Sequence, residues 1–295
     1  MPSDDFFLEE ERCGHIVTSE MKKVWSVQIS CLEQLKRICE KYNIRYYAGA
    51  GTLLGAVRHS GYIPWDDDLD VFMLEEDYVR FCQIAPNELE NPFFFQNYKT
   101  QKGFGPSLSR IRRSDTTGCT EYEKNIADAH YNCGIFIDIF PLFSVNSNKL
   151  ARSIRELPIL KYKAALAGFE HWKKQQKQGK KFDLLILYWK IMSIFMDHEK
   201  MSSNFLNACS SKKKDTTIVA PVSFTGYRER FLYDRKWFEY TMEMPFEYTT
   251  ISCPSCYDQM LRRQYGDYMV FKKGTAMHSM AIVDTETPYI VKLGL

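Results

Sequence analysis

The longest periodic signal in the chain runs from Ser19 to Tyr42, where Trp25, Ile29, Leu32, Leu35 and Ile38 recur at spacings of three and four. That spacing lays one apolar stripe along an amphipathic helix. Shorter signals follow it. "IRYYA" (Ile44 to Ala48) predicts a strand that stops at Gly49-Ala50-Gly51, and "TLLGAVRH" (Thr52 to His59) a short helix. "LDVFM" (Leu69 to Met73) predicts a strand, and "EEDYVRFCQIA" (Glu75 to Ala85) a helix started by acidic residues. "FFFQNY", "SLSRIR" and "GIFIDIF" predict further strands, the last two flanking a loop that holds "DTTGCTEYE". After Pro141-Leu142 the character changes: residues from about Lys149 to Cys209 are helical in pattern, broken by the basic stretch "KKQQKQGKK" (Lys173 to Lys181). The C-terminal part is mixed, with turns, short strands and a helix through "YDQMLRRQYG". No internal repeat or low-complexity linker divides the chain, which favours one domain with a helical insertion over two independent domains.

The strand "LDVFM" follows a crowd of acids. Asp66, Asp67, Asp68 and Asp70 fall within five positions. Like charges that close repel, and burying one unpaired costs several kcal/mol. Either the cluster is a solvated turn or something positive sits on it. A strand that begins near Leu69 puts Asp68 and Asp70 on one face and turns Leu69, Val71 and Met73 into a core. Asp66 joins that face if the strand begins early. Paired carboxylates form a hard-oxygen site suited to Mg²⁺ or Mn²⁺. An EF-hand is excluded, because its loop needs oxygen ligands through position 12, and here Val71-Phe72 follows.

Three further features fit the same picture. Asp138 is the lone charge in the apolar run from Ile135 to Phe143. A buried Asp there needs a partner, an arginine or a shared metal. "GAGT" (Gly49 to Thr52) follows a strand and opens a helix, a turn whose N–H groups bind phosphate, with Thr52 adding a hydroxyl. Arg58 ends that helix, and Arg110 and Arg112 alternate on one face of "SLSRIRR", cations able to neutralise phosphates.

Composition narrows the class. Apolar residues make up 45% of the 295 positions and aromatics 15%, which describes a globular chain. A net charge of +2 argues against a nucleic-acid surface. Nine cysteines without a signal peptide read as reduced thiols in a cytoplasm, and "CPSC" (Cys253, Cys256) lacks the second pair a zinc site needs. The most apolar stretch, "FDLLILYWKIMSIFM", is too short to span a bilayer. Next to "KKQQKQGKK" it reads as a core helix beside a solvated loop, the alternative being a peripheral contact at the inner membrane face, with Trp172, Tyr188 and Trp189 at the interface.

"AGAGTLLGAVRHSGYIPWDDDLDVFM" resembles the signature of the LicD/fukutin family almost residue by residue, and "CEKYNIRYY", "RIRRSDTT", "GIFIDIFPL" and "YDQMLRRQYGDYM" extend the likeness. The resemblance implies an α+β, nucleotidyltransferase-like fold, a mixed sheet flanked by helices. On that basis the catalytic core is placed at residues 18–146, a helical insertion at 147–215, and a C-terminal segment packing back on the core at 216–295. It implies a metal-dependent phosphotransferase that moves phosphocholine, or a phosphorylated polyol, to a hydroxyl of a glycan, a lipid-linked glycan or a teichoic-acid precursor. CDP-choline is the first candidate donor, with CDP-ribitol and CDP-glycerol behind it. By position, Asp68, Asp70 and Asp138 are the catalytic metal ligands, joined by Asp66. Gly51, Thr52, Arg58, Arg110, Arg112 and Thr116 are the substrate-binding residues. Two Mg²⁺ ions would bridge the donor pyrophosphate and Asp138 would take the acceptor's proton. Arg113 stands where the family often has an acidic residue. Glu247 and the Tyr265–Tyr268 turn match family positions and read as packing on the acceptor side. The rival reading is a metal-dependent glycosyltransferase, which also holds a nucleotide-sugar with an aspartate pair. It predicts a nucleotide-binding βαβ unit before the aspartates, where this chain has a long helix and "GAGT".

Overall fold

A computed structural model describes residues 2–126, 130–154, 156–162, 197–210, 217–221, 229–272 and 280–295. The periodic segment forms helix α1 over Ser19–Tyr42. Thr18 caps its start by accepting the Met21 N–H at 3.2 Å, and Asn43 ends it in the left-handed conformation (φ 50°). Trp25, Ile29, Leu32, Leu35 and Ile38 are all buried in the main core. A 24-residue helix with one apolar stripe gains its stability from that packing more than from propensity.

The central sheet has seven strands. Strand β8 (Ile135–Val145) is its axis. On one side lies β4 (Asp70–Leu74), parallel to β8, and beyond it the two-residue β3 (Tyr47–Ala48), antiparallel to β4. On the other side, the first half of β8 pairs antiparallel with β6 (Ser109–Arg113), which pairs in turn with β5 (Phe93–Gln96). The second half pairs with β9 (Ile218–Pro221) and through it β10 (Tyr233–Asp234). Pro141 has no N–H to give, and it falls where β6 pairing has ended at Ile139 and β9 pairing begins at Leu142. Helices α1 and α3 (Glu75–Glu88) pack against β8, and α2 (Ala50–His59) lies between β3 and β4 in sequence. The α+β class with a mixed sheet flanked by helices is what the sequence predicts.

Three two-stranded pairings surround the sheet. They are β1 (Glu10–Arg12) with β2 (His15–Val17), β7 (Thr117–Cys119) with β13 (Ile282–Asp284), and β11 (Thr241–Phe246) with β12 (Thr249–Pro254). The described helices also include the short α4 (Glu123–Ile126) and α7 (Tyr289–Leu293) and the longer α5 (His198–Cys209) and α6 (Tyr257–Tyr265). Met244, Phe246, Ile251, Cys253, Met260 and Leu261 share one core cluster with α1 and β4. Residues 149–154 and 156–162 are helical, but much of the expected insertion at 147–215 lies outside the described residues, as do "KKQQKQGKK" and the apolar stretch after it. Among the described residues no helix is long and apolar enough to cross a membrane. All nine cysteines are thiols.

The sequence reading is corrected at β4 on two points. β4 begins at Asp70, not Leu69, so Asp68 belongs to the approach and not to the alternation. All five β4 residues are buried, because the strand lies between β3 and β8 and is covered on both faces.

The loop from Ser60 to Asp67 is held by segments distant in sequence. Glu247 sits in the left-handed region (φ 54°), donates its N–H to the Ser60 carbonyl at 2.8 Å, and accepts the Tyr62 N–H at 3.0 Å. Arg12 grips the same carboxylate with two hydrogen bonds, 2.7 and 2.9 Å. Gly61 makes the approach feasible, since a Cβ there would stand 2.1 Å from Glu247 Oε1. The Trp25 ring stacks on Tyr62 at 4.7 Å and donates its indole N–H to the Asp66 carbonyl at 2.9 Å. Glu247→Ala leaves the Tyr62 amide without its acceptor and the half-buried Arg12 guanidinium with Glu10 alone. We expect it to cost about 2–4 kcal/mol, below a fully enclosed pair because Arg12 stays 23% exposed. Urea unfolding measures this; a loss within about 0.5 kcal/mol, the range of ordinary surface changes, would show that the clamp does not hold the loop.

Candidate active site

Sheet register assembles the charged residues. Asp70 on β4 pairs with Asp138 on β8, and Asp138 pairs with Arg110 on β6. The three stand side by side across adjacent strands, with neighbouring strands about 4.8 Å apart. Arg110 donates from Nε to Asp138 Oδ1 at 2.6 Å, and from a terminal nitrogen to Glu123 Oε1 at 2.8 Å. The costly lone aspartate of β8 therefore finds an arginine partner.

The backbone holds Asp66–Asp70 from several directions. Gln28 donates to the Asp67 carbonyl at 2.7 Å, and Asp138 N–H to the Leu69 carbonyl at 2.9 Å. Thr52 Oγ1 accepts the Asp70 N–H at 2.8 Å, and the Gly49 N–H donates to the Asp70 carbonyl at 2.9 Å. Gly51, in the first turn of α2, lies so near Asp66 that a Cβ would stand 2.9 Å from its Oδ2. The Asp66 carboxylate thus sits at the positive end of α2.

Burial pushes the Asp68 and Asp70 carboxyls well above the usual range. Repulsion adds to it, for Asp68 from Asp70, Asp66 and Asp138, and for Asp70 from Asp138 and Asp66. Arg110 opposes this at Asp70. Among the described residues Arg110 pairs with Asp138 and Glu123, and Arg112 with Glu123. Hard oxygens with an excess of negative charge fit a divalent cation of the Mg²⁺ kind. Their ligand oxygens are not tightly gathered. Among the described residues, the set of three ligand atoms within 4.8 Å of one another is Cys119, Glu123 and Cys133. Glu123 in that set is occupied by Arg110, Arg112 and the Thr120 N–H.

Two expected substrate-binding residues stand elsewhere. Arg112 does share a face with Arg110, and both guanidiniums lie over the Phe136 ring. It is fully buried, however, donating to Gln96, to the Gly134 carbonyl at 2.7 Å and to Glu123. Every direction is filled by protein, so Arg112 does not reach a phosphate. Thr116 is likewise buried, donating to the Arg113 carbonyl at 2.7 Å and accepting the Ile135 N–H at 3.0 Å. Thr52 is buried against the Asp70 amide and acts on the site through it.

Gly51 and Arg58 line a cavity of about 330 Å³ with Leu54, Ile63, Trp65 and Asp66 from one stretch of chain. Tyr265, Asp267, Tyr268, Val270 and Lys272 close it from the other side. The Arg58 guanidinium donates to the Tyr268 carbonyl at 3.0 Å and to His59 Nε2 at 2.9 Å. Burial, then Arg58 and Arg12, hold the His59 imidazole down at about 4, so it is neutral and accepts that bond. The Tyr265 phenol is pushed up by burial and then by Asp70, Asp66 and Asp68. That places the 265–268 turn in the field of the aspartates, on the side of Gly51. Sequence spacing gives no sign of this wall or of Glu123, since each comes from a distant segment.

Residues 43–156 match the family model described as LicD/FKTN/FKRP, nucleotidyltransferase domain. The chain is 26% identical over 247 residues to the lipopolysaccharide cholinephosphotransferase LicD of Haemophilus influenzae, covering 82% of this chain and 89% of that protein. It is 29% identical over 79 residues to the human ribitol 5-phosphate transferase FKRP, covering 27% of this chain and 16% of that protein. An uncharacterised protein of Rickettsia typhi is 46% identical over 68 residues, 23% of this chain and 21% of its own. The aspartate segment, the "GAGT" turn and Asp138 all fall inside residues 43–156, the part of the chain that is similar to the LicD/FKTN/FKRP nucleotidyltransferase domain.

Proposed function

We propose that the chain is a cation-dependent phosphotransferase that moves phosphocholine, or a related phospho-alcohol or phospho-polyol, from a CDP-activated donor to a glycan hydroxyl. The observation that carries this reading is the placement of Asp70, Asp138 and Arg110 on three adjacent strands, with Asp66 and Asp68 leading into β4 beside the α2 cavity. Relatives named as a cholinephosphotransferase and a ribitol 5-phosphate transferase support the class of group moved.

In this reading Asp68 and Asp70 hold Mg²⁺ or Mn²⁺ with Asp66 and Asp138, and the cation supplies charge neutralisation on the phosphoryl oxygens. The N–H groups at Gly51 and Thr52 and the Arg58 guanidinium bind the donor's phosphates. Arg110 fixes the Asp138 carboxylate, which takes the proton of the attacking hydroxyl. That oxygen bonds to the donor's distal phosphorus while the bond to the CMP oxygen breaks, and CMP leaves with the electron pair. Such chemistry asks for positioning and neutralisation more than for a strong base. Arg112 and Thr116 support the fold beneath β6 and β8 and take no part in binding.

CMP release with Mg²⁺ tests the reading, comparing CDP-choline, CDP-ribitol and CDP-glycerol with UDP- and GDP-sugars in the presence of glycan acceptors. One CDP-linked alcohol should be turned over, and Asp70→Asn should reduce that turnover to background while the fold is retained. Turnover of nucleotide-sugars alone would assign the chain to the glycosyltransferases instead.

The raised carboxyls give a second expectation. Folded Asp68 and Asp70 bind protons more tightly than the unfolded chain, whose aspartates titrate near 3.8. In the window above that value the native state holds more protons, so metal-free stability falls as pH rises through it. Mg²⁺ replaces those protons. The Mg²⁺-induced rise in melting temperature should therefore grow with pH and vanish in Asp70→Asn, which should itself be more stable than wild type without metal at neutral pH. A Mg²⁺ shift that is independent of pH and survives Asp70→Asn would place the cation elsewhere.

A further inference from the structure

Two thiols meet beside the charged network of the site and take no part in the proposed transfer. Cys119 ends β7 and Cys133 leads into β8, 14 positions apart, and their sulfurs lie 3.6 Å from each other in a shared hydrogen bond. The backbones that carry them are tied together. The Gly118 N–H donates to the Cys133 carbonyl at 2.7 Å, and the Ile135 N–H to Thr116 Oγ1 at 3.0 Å. Each cysteine adjoins a glycine that permits this approach. A Cβ on Gly118 would stand 2.6 Å from the Ile135 Cα, and one on Gly134 2.1 Å from the Arg113 carbonyl oxygen. Asn132 fixes the same corner, its Oδ1 accepting the Gly134 N–H at 3.0 Å and its Nδ2 donating to Ser114 Oγ at 2.8 Å. Both thiols are buried, in a cluster with Phe104, Tyr131 and Tyr289.

Cys119, Cys133 and Glu123 have the spacing of soft-metal ligands, but the surrounding charge opposes a metal. The Glu123 carboxylate already holds the Arg110 and Arg112 guanidiniums and accepts the Thr120 N–H at 3.0 Å. A divalent cation on its oxygens would face both guanidiniums or leave Arg112 buried without its counter-ion. A disulfide is neutral and needs no counter-charge. We propose that Cys119 and Cys133 are an oxidisable pair, converted to a disulfide by a small peroxide. One sulfur, as thiolate, attacks a peroxide oxygen; the S–O bond forms, the O–O bond breaks, and the departing oxygen leaves as water with the thiol's proton. The partner sulfur then attacks the sulfenic acid; the S–S bond forms, the S–O bond breaks, and a second water leaves with the second thiol's proton. Two thiols are oxidised and hydrogen peroxide is reduced to two waters. The hydrogen bond with Cys133 holds the Cys119 thiol below its usual value, against burial, which marks Cys119 as the first to react. Burial favours a small neutral oxidant over a bulky disulfide. The sulfurs close from 3.6 Å to a bond of about 2.05 Å. That bond pins both ends of the segment carrying α4, whose Glu123 holds Arg110, the partner of Asp138. Oxidation thus latches the network beneath the aspartates. None of this depends on the phosphotransferase reading.

Non-reducing peptide mapping by mass spectrometry tests this, on the full chain treated with hydrogen peroxide and on the same sample after dithiothreitol. The oxidised chain should yield one linked pair of peptides joining Cys119 to Cys133, with the loss of two hydrogens, and dithiothreitol should separate them. The melting temperature should rise by about 3–8 °C on oxidation, as closing a loop of about 15 residues implies, and the rise should vanish in Cys133→Ser. Peroxide that modifies the exposed Cys13 while Cys119 and Cys133 stay thiols would overturn the proposal. So would a rise that survives Cys133→Ser, or a linked pair without any rise, since the bond would then strain the fold instead of bracing it. Incubation with Zn²⁺, desalting and metal analysis address the rival use of the trio. No zinc should be retained; one zinc per chain, lost in Cys133→Ser, would assign a metal site instead. The mapping is read on the wild type alone, so it decides the question even where Cys133→Ser fails to fold.

Discussion

Repulsion among the aspartates of residues 66–70 and Asp138 is the constraint to which the rest of the structure answers. Two like charges 4 Å apart repel by about 4 kcal/mol at an effective dielectric of 20, and burial adds to that. Left to itself such a cluster would turn its carboxylates outward. Here the peptide groups that carry them are fastened instead: Gln28 holds the Asp67 carbonyl, Trp25 the Asp66 carbonyl, Thr52 the Asp70 amide, and Asp138 the carbonyl of Leu69. The bonds go to backbone and leave the carboxylates exposed to one another. Arg110 relieves part of that repulsion at Asp70, and protons or an added cation would relieve more.

Much of that fastening comes from outside the segment that carries the charges. Trp25 and Gln28 lie on α1, Arg12 on the first hairpin and Glu247 at the β11–β12 turn, all beyond residues 43–156. The matched segment carries the carboxylates, and the flanking segments fix the loop that presents them. This is why α1, β4 and the C-terminal strands share one core cluster. A loop tied at both ends to rigid elements can hold a site geometry that a free loop cannot.

What the sequence revealed follows the range of the interaction. α1 was legible to the residue because its apolar spacing and its cap are local. β8 was legible as a strand, though it runs on to Val145, since the apolar run does not stop at Phe140. The pairing of Arg110 and Arg112 on one face was also legible. Their depth was not: alternation gives the face of a strand but not what covers it, and Glu123 on the short α4 fills the space over Arg112. Thr116, put forward by the resemblance, lies in the turn between β6 and β7, where its hydroxyl is taken up by the Arg113 carbonyl and the Ile135 amide. The Arg12–Glu247 clamp joins residues 235 positions apart through a left-handed glutamate, and no local pattern announces that.

The division between strand and loop also sorts the chemistry. Asp70 and Asp138 stand on neighbouring parallel strands whose spacing is set by the hydrogen-bond ladder, so their separation is fixed by the sheet itself. Asp66 and Asp68 sit on the approach, where position depends on side-chain bonds such as Trp25 to the Asp66 carbonyl. The strand pair is held by its own ladder, and the approach by side-chain bonds from Trp25 and Gln28 on α1. The proposed in-line transfer asks for such fixed positions, because catalysis by positioning is lost when the reacting groups drift. Arg110 completes the rigid half, tying Asp138 to a third strand. In the proposed reaction the proton-accepting carboxylate is therefore on the sheet, and the carboxylates leading into it stand on a segment fastened through its backbone.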